Sequence, residues 1–276
     1  MKLALISDTH VADRAVAFTD NLRATLDDIR REQCDLIIHL GDITADGIRD
    51  PAEFGQAKAL FAHAPAPVLF LPGNHDIGDN PLSGEANRAA ETQFDPRRLD
   101  QYRAVFGADY WSVAVNGWRL LGLNAQLFGS GTPDEAAQFA WATAEAATDE
   151  PVVLFLHKPL VLESPADTPV HPRYALPAAR DRLLELFAGT DVRLVASGHV
   201  HQRRRKPIAG VDHLWTPAVA FVIPDHMQER IGEKQTGYVI LSLVGAEHNL
   251  RFIRPPGVSD HSLSDFPEVY PELREE

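Results

Sequence analysis

Eight side chains able to hold a metal ion or move a proton stand in short clusters along the chain: Asp8 with His10, Asp42, Asn74 with His75, His157, and His199 with His201. Each cluster follows directly on an apolar run. "LALIS" delivers Asp8 and His10, "DLIIHLG" delivers Asp42, "VLFLPG" delivers Asn74 and His75, "VVLFL" delivers His157, and "RLVASG" delivers His199 and His201. Runs of this kind read as strands buried on both faces. In α/β sheets ligands bind beyond the carboxyl ends of strands, so these ends are placed to converge on one site. The spacing of two within Asp8/His10 and His199/His201 puts both side chains on the same side of an extended segment. Gly41, Gly73 and Gly198 stand where backbone must turn sharply or come close to another part of the chain.

Carboxylate, imidazole and amide donors without thiolate suit iron, manganese, zinc or cobalt. The single cysteine, Cys34, excludes an intrachain disulfide and a cysteine-built zinc site. The candidates exceed what one such ion needs. Two metals about 3.5–4 Å apart and bridged by a carboxylate would use most of them, and that geometry serves phosphoester hydrolysis. Asp42 is the expected bridge. Two cations lower the pKa of a shared water towards neutrality, giving a hydroxide that attacks phosphorus, and they clamp the phosphoryl oxygens.

Any one of these residues alone would read as a polar strand cap. Their order says more. "DTH", "GDITADG", "GNHD", "LH" and "GHVH" together resemble the five-block signature of the calcineurin-like metallophosphoesterases, over residues 8 to 201. The resemblance implies an α/β fold, a four-layer αββα sandwich of two mixed β-sheets flanked by helices. It implies one metal held by Asp8, His10, Asp42 and His201, and a second held by Asp42, Asn74, His157 and His199. It further implies that His75 is the catalytic acid or transition-state stabiliser, with Asp76 orienting its ring. Within the family, "SDTH", "CDLIIHLGDITADGIRDPAEF" and "PVLFLPGNHD" are most similar to the class III cyclic-nucleotide phosphodiesterases and glycerophosphodiesterases, and "LWTPAVAFVI" looks like a looser version of that branch's later strands. The family's protein phosphatases carry an arginine pair that grips a phosphate dianion, whereas Ile77 and Gly78 follow "GNHD" here. A singly charged diester needs less cationic help than a dianion, so small diesters are the expected substrates. The alternatives are a phosphomonoesterase or nucleotide-pyrophosphate hydrolase on the same centre, and a non-catalytic scaffold, against which the full ligand set stands.

The elements that must position these residues are legible as alternation. "KLALIS" reads as a strand, "FTDNLRATLDDIRREQ" as a helix capped by Thr19 or Asp20, and "DLIIHLGD", the helical "PAEFGQAKALFAHA" and "PVLFLPGNHD" continue the pattern. "WSVAVNG" and "WRLLGLNAQ" form a hairpin across Asn116-Gly117. A helix "DEAAQFAWATAEAA", a strand "PVVLFLHKP", a helix "PAARDRLLELFAG" closed by Gly189 and a strand "VRLVASGHVH" follow. "HLWTP", "AVAFVIP", "GYVILSLVG" and "HNLRFIRP" then read as strands of antiparallel sheet without intervening helices. One domain is expected over residues 1–254, with a poorly ordered acidic tail over 255–276. The irregular stretch 77–100 is long enough for a functional loop.

Several residues carry a plainer reading. His39 is a core histidine on a buried strand, and His63, His213, His248 and His261 belong to the surface. His171 and His226 are placed to overhang the site. Asp46 is a turn former. Phe94, Tyr102 and Phe106 are packing residues, although an aromatic in 77–106 that lined the cleft would stack a nucleobase. Arg203, Arg204, Arg205 and Lys206 form a solvated hairpin strand rather than a substrate steering patch.

The chain has 276 residues, 45% hydrophobic and 24% charged, within the globular range. Its formal charge of −13 argues against long nucleic acid as a partner. The amino-terminal apolar run is too short for a signal core or a membrane span, so a cytoplasmic protein without a membrane partner is expected. The partner is a small phosphoester substrate, and the oligomeric state stays open, with a homo-oligomer allowed.

Overall fold

The computed structural model describes residues 1–81, 92–168 and 170–274. In chain order its first half runs β1 (Lys2–Ile6), α1 (Val16–Glu32), β2 (Leu36–His39), α2 (Ala52–Phe61), β3 (Val68–Phe70), the single turn α3 (Asn74–Ile77), α4 (Pro96–Phe106), β4 (Trp111–Val115) and β5 (Trp118–Gly122). Its second half runs α5 (Pro133–Glu145), β6 (Val152–Leu156), α6 (Pro177–Leu186), β7 (Val192–Ser197), β8 (Arg204–Ile208), β9 (Val211–Trp215), β10 (Tyr238–Val244) and β11 (Glu247–Ile253).

Among the described residues the strands form two mixed sheets, β11-β10-β1-β2-β3 and β4-β5-β6-β7-β9-β8. In the first, β1, β2 and β3 run parallel, with Ile6 opposite His39 and His39 opposite Phe70. In the second, β5, β6 and β7 run parallel, with Leu156 opposite Ser197. The strand ends that carry the polar clusters therefore point one way within each sheet. Asn116 and Gly117 both take positive φ, 51° and 74°, which gives the β4-β5 turn a twist that suits a hairpin.

The apolar runs bury both faces because each sheet has a layer on either side. Leu3, Leu5, Ile38 and Leu40 of the first sheet meet Trp118, Leu120, Phe155 and Leu194 of the second. On the outer face of the first sheet, Leu22, Ile29, Phe54 and Tyr102 from the helices pack on Ala4, Ile6 and Ile37. On the outer face of the second, Phe139, Ala142 and Leu183 pack on Leu154, Leu156 and Val195. The result is helix, sheet, sheet, helix, an α/β sandwich.

Several expectations are corrected. α1 begins after Ala15 with no side-chain cap. Thr19 is buried, and the neighbouring Asn21 donates to the carbonyls of Val219 and Ala220 and accepts from the Ser259 N–H. "AVAFVIP" is not a strand: Val219 and Ala220 donate to the carbonyls of Ser7 and Asp8, so this segment folds over the end of β1. The late strands split between the sheets, β8-β9 joining one and β10-β11 the other. Residues 96–106 of the expected irregular stretch form α4, capped by Asp95 with Pro96 in its first turn, while 82–91 lie outside the described residues. α6 stops at Leu186, ahead of Gly189. His213 is buried on β9 rather than exposed. The segment after Pro255, expected as a loose tail, packs Phe266, Val269 and Tyr270 against Phe18, Ala45 and Phe221. No helix among the described residues is long and apolar enough to cross a membrane.

Phe155 is fully buried between the sheets. Phe155→Ala is expected to cost about 3–5 kcal/mol, read from urea unfolding as a lower midpoint at unchanged slope. Burial also pushes the His213 imidazole down to about 4. The unfolded chain takes up this proton near its ordinary value of about 6.5, so His213 costs stability progressively as pH falls from 6.5 towards 4, and no further below that. His213→Leu should therefore lose less of its thermal midpoint than the wild type between pH 7 and pH 5.

Candidate metal centre

All five polar clusters meet at the carboxyl ends of β1, β2, β3, β6 and β7. The backbone there is not extended. Asp8, His10, Asp42, His199 and His201 have φ of 56°, 45°, 53°, 67° and 51°, in the left-handed region that residues other than glycine rarely take. The side chains at spacing two converge because the chain coils tightly, not because a strand alternates. Such conformations cost of order 1–3 kcal/mol each and persist where surrounding contacts over-determine them. Here the loops after β1 and β2 lock together: Asp8 N–H donates to Gly41 O at 3.0 Å, Thr9 N–H to Asp42 O at 2.9 Å, and Val11 N–H to Ile43 O at 2.8 Å.

Glycines make room for the approach. A Cβ on Gly41, whose φ is +99°, would stand 2.6 Å from His157 Nδ1. A Cβ on Gly198 would overlap the Ser7 hydroxyl and stand 2.8 Å from Asp8 Oδ2, and one on Gly73 would overlap Asp42.

The two aspartates are buried and divide their oxygens alike. Asp8 Oδ2 accepts from His199 N–H at 3.0 Å, while Oδ1 has no hydrogen-bond partner among the described residues and lies 3.4 Å from His201 Nε2. Asp42 Oδ1 accepts from His75 N–H at 2.9 Å, while Oδ2 lies 3.3 Å from His157 Nε2 and 3.9 Å from His10 Nε2. Burial would raise the Asp42 carboxyl, yet the charges of His157 and His75 hold it well below the usual carboxylate range. Burial alone would lower the His157 imidazole, but Asp42 outweighs it and pushes the ring up to about 9.

Each of these imidazoles is turned by a partner behind it. His157 Nδ1 bonds Leu40 O at 2.8 Å, His201 Nδ1 bonds Phe221 O at 3.0 Å, His199 Nε2 bonds Pro172 O at 3.2 Å, and His10 Nδ1 meets the Tyr270 hydroxyl at 2.7 Å. A carbonyl only accepts, so the nitrogen facing it carries a proton, and the inward nitrogen is the one whose lone pair a cation would take in place of a second proton. The inward atoms then crowd. His10 and His201 bring Nε2 atoms within 3.3 Å, and His157 Nε2 lies 3.1 Å from His199 Nδ1 and 3.2 Å from Asn74 Oδ1. Asp8, His10 and His201 form one cluster and Asp42, His157 and His199 another, with ligand atoms in each within 4.8 Å. Converging imidazole nitrogens, an orphaned carboxylate oxygen and rings fixed from behind suit a cation, which would replace the protons shared between them, and the O and N donor set fits the metals named above.

His75 reaches the cavity, but Asp76 sits differently from the expectation. His75 Nδ1 bonds Ala45 O at 2.7 Å, leaving Nε2 to serve the cavity. Asp76 does not hold that ring. Its carboxylate accepts from the N–H groups of Ile43, Thr44 and Gly73 at 3.1, 2.9 and 2.8 Å and from the Thr44 hydroxyl at 2.7 Å. Asp76 is thus the staple between the loops after β2 and β3. Burial and the nearby Asp42 push its carboxyl up to about 6, against those hydrogen bonds.

His10, Asp42, Asn74, His75, His199 and His201 line a cavity of about 390 Å³. Phe221, Ile223, Met227, Leu263 and Leu273 give it an apolar wall, and His171, Pro172 and Arg173 a third side. His171 does overhang the site, whereas His226 is exposed beside the cavity residue Met227. His39 is a core residue bonded to the Thr9 hydroxyl, its imidazole pushed down to about 3 by burial. The basic run is spent on ion pairs: Arg203 with Glu233, Arg204 and Lys206 with Glu163, and Arg205 with Asp212. Tyr102 is fully buried against Phe54 and Phe106, as packing. Tyr270 was invisible to motif reasoning. The apolar spacing Phe266, Val269, Tyr270 within an acidic stretch was the available signal that the segment packs.

Comparison with known proteins agrees with this arrangement. Residues 1–203 match the family model for calcineurin-like phosphoesterases. The chain is 29% identical over 167 residues to the serine/threonine-protein phosphatase CPPED1 of Danio rerio, covering 58% of this chain and 50% of that protein. It is 28% identical over 221 residues to a cAMP/cGMP dual specificity phosphodiesterase of Mycobacterium tuberculosis, covering 75% of this chain and 63% of that one. The match thus spans half to under two thirds of these relatives' own length. In fold it is similar to a dimetal phosphatase from Danio rerio, with TM-score 0.65, 16% identity and coverage of 91% and 95%, and to a purple acid phosphatase from yellow lupin, with TM-score 0.66, 15% identity and coverage of 95% and 52%.

Gly198→Ala should displace Asp8 and lower the metal content measured by elemental analysis. Gly55→Ala, where a Cβ meets open space within a helix, should leave it unchanged.

Proposed function

Because this chain belongs to the calcineurin-like phosphoesterases, a family built on a dimetal site, we propose that it hydrolyses small phosphodiesters of cyclic-nucleotide or glycerophosphodiester type. The observation that carries the reading is the sharing of Asp42: one buried carboxylate oxygen faces both imidazole clusters at the floor of one cavity. In this reading Asp8, His10, Asp42 and His201 hold one cation, and Asp42, Asn74, His157 and His199 hold another. Two cations so held supply positive charge for phosphoryl oxygens and lower the pKa of water towards neutrality. Asn74 adds a neutral donor, which limits the negative charge around the second ion. The carbonyls behind the imidazoles keep their lone pairs aimed inward. His75, which donates Nδ1–H to Ala45 O, would give the departing ester oxygen its proton from Nε2 when the ring is the imidazolium, returning to the neutral Nδ1–H form. Iron, manganese, zinc and cobalt all suit the donors.

Preference for a diester is supported by the apolar residues that line the cavity beside the clusters. Phe221, Ile223, Met227 and Leu263 offer surface to a second esterifying group that a monoester lacks. The Mycobacterium tuberculosis relative named as a cyclic-nucleotide phosphodiesterase is consistent with this. A second reading, phosphomonoester hydrolysis, draws on Arg173, a guanidinium on the cavity's third side, and on the relative named as a protein phosphatase. The ratio of kcat/KM for an aryl phosphodiester to that for the aryl monoester, on one metal-loaded preparation, decides between them. The diester should lead, and Arg173→Ala should reduce monoester hydrolysis more than diester hydrolysis. A preparation that prefers the monoester at least tenfold would sink the diester reading.

The site residues separate by readout. Asp42→Asn should abolish turnover and upset metal loading. His75→Ala should keep both metals and lose about 10²–10⁴-fold in kcat.

A further inference from the structure

Three of the four imidazoles in the two clusters are backed by a main-chain carbonyl, but His10 is backed by a side chain. The hydroxyl of Tyr270 lies 2.7 Å from His10 Nδ1, across 260 positions of sequence. His10 turns its Nε2 towards His201 Nε2 and Asp42 Oδ2, so Nδ1 is the atom left for a partner behind the ring. Tyr270 is 5% exposed. Its ring centroid stands 6.0 Å from that of His10, 5.8 Å from that of His75 and 5.8 Å from that of Phe221, and it also lines the cavity.

The segment carrying Tyr270 is docked by its own contacts. Val269 is buried beside it, Arg14 Nε reaches Val269 O at 3.5 Å, and Asn21 fixes the preceding turn through the Ser259 backbone. Leu263 and Leu273 of the same segment complete the apolar wall. The segment itself lies beyond residues 1–203, where the family match ends.

A hydroxyl differs from a carbonyl in that it both accepts and donates. When His10 Nε2 presents its lone pair to a cation, Nδ1 keeps its proton and the phenol oxygen accepts it. We propose that Tyr270 is a positioning residue for His10, and that the carboxyl-terminal segment is a working part of the metal centre whose docking and metal binding reinforce each other. This rests on the dimetal reading above. By linkage, a segment that holds His10 in its binding rotamer raises metal affinity, and a bound ion raises the free energy needed to undock the segment.

Titration of the metal-free protein with Co²⁺, followed by calorimetry and visible absorption, tests this on wild type and Tyr270→Phe. The variant removes one oxygen and keeps the ring that packs on Phe221. Wild type should bind two equivalents. Tyr270→Phe should bind one with unchanged affinity and the other about 10–100-fold more weakly. In the cobalt-loaded wild type, four ring N–H protons should appear as shifted NMR signals, and in the variant one of them should exchange rapidly with solvent. A metal-bound wild type should also resist proteolytic removal of residues after 258 better than the metal-free protein. If wild type binds two ions and Tyr270→Phe binds both as tightly, the role of Tyr270 is overturned while the dimetal centre stands. If wild type takes up no second ion, the dimetal reading itself fails. Should the variant not fold, the wild-type comparison decides alone: equal proteolysis with and without metal overturns the linkage.

Discussion

The structure turns on two buried carboxylates, Asp8 and Asp42, whose inner oxygens face the inward nitrogens of the surrounding imidazoles. A buried charge needs a partner, and leaving one unpaired costs several kcal/mol. The outer oxygen of each aspartate has its partner in a backbone N–H, from His199 and from His75. Of the inner oxygens, Asp8 Oδ1 has no hydrogen-bond partner among the described residues and Asp42 Oδ2 lies 3.3 Å from His157 Nε2, a ring oriented from behind by a main-chain carbonyl, as His201 is. The lift of His157 to about 9 expresses the same demand: positive charge belongs at this point.

Satisfying that geometry dictates much of the local fold. The five left-handed residues at the ends of β1, β2 and β7 carry backbone strain that isolated loops would release. They keep it because the loops after β1 and β2 hydrogen-bond to each other and because Asp76 clamps the loops after β2 and β3. The Gly198 N–H donates to the His157 carbonyl, tying β6 to β7 at the same level. The glycines are there because a methyl group at Gly198 or Gly73 would occupy space already filled by Ser7 or Asp42. Rigid sheets below and interlocked loops above give the clusters their fixed separation.

The cavity beside the clusters is chemically divided. The floor is all nitrogen and oxygen, one wall is apolar, and a guanidinium stands on the remaining side. The apolar wall comes from two segments far apart in sequence, 221–227 and 263–273, which lie together because Val222 donates to the His261 carbonyl and accepts from the Leu263 N–H, and because Asn21 bonds to both the 219–220 carbonyls and Ser259. A buried amide on α1 thus helps to link the site to the end of the chain.

How much of this was legible follows from the range of each interaction. The strand ends, the hairpin at Asn116-Gly117 and the glycine positions are local, and apolar runs next to Asp, His and Asn sufficed to find them. The ordered blocks at five strand ends likewise pointed to Asp8, His10, Asp42, His157, His199 and His201, which the structure gathers into two clusters. "AVAFVIP" misled because its apolar composition fits a strand as well as a lid, and only its bonds to Ser7 and Asp8 distinguish the two. The resemblance implied that Asp76 orients the His75 ring, but a carboxylate in a short helical turn reaches backbone N–H groups more readily than its neighbour's ring. Tyr270 had no motif to mark it, since the contact that matters joins residues 260 positions apart. By itself the sequence determined which chemical groups exist and at which strand ends they emerge, because those are properties of short stretches. Only the tertiary structure decided which oxygen of each aspartate is free, which nitrogen of each imidazole faces inward and what stands behind His10, because each depends on partners brought together from opposite ends of the chain.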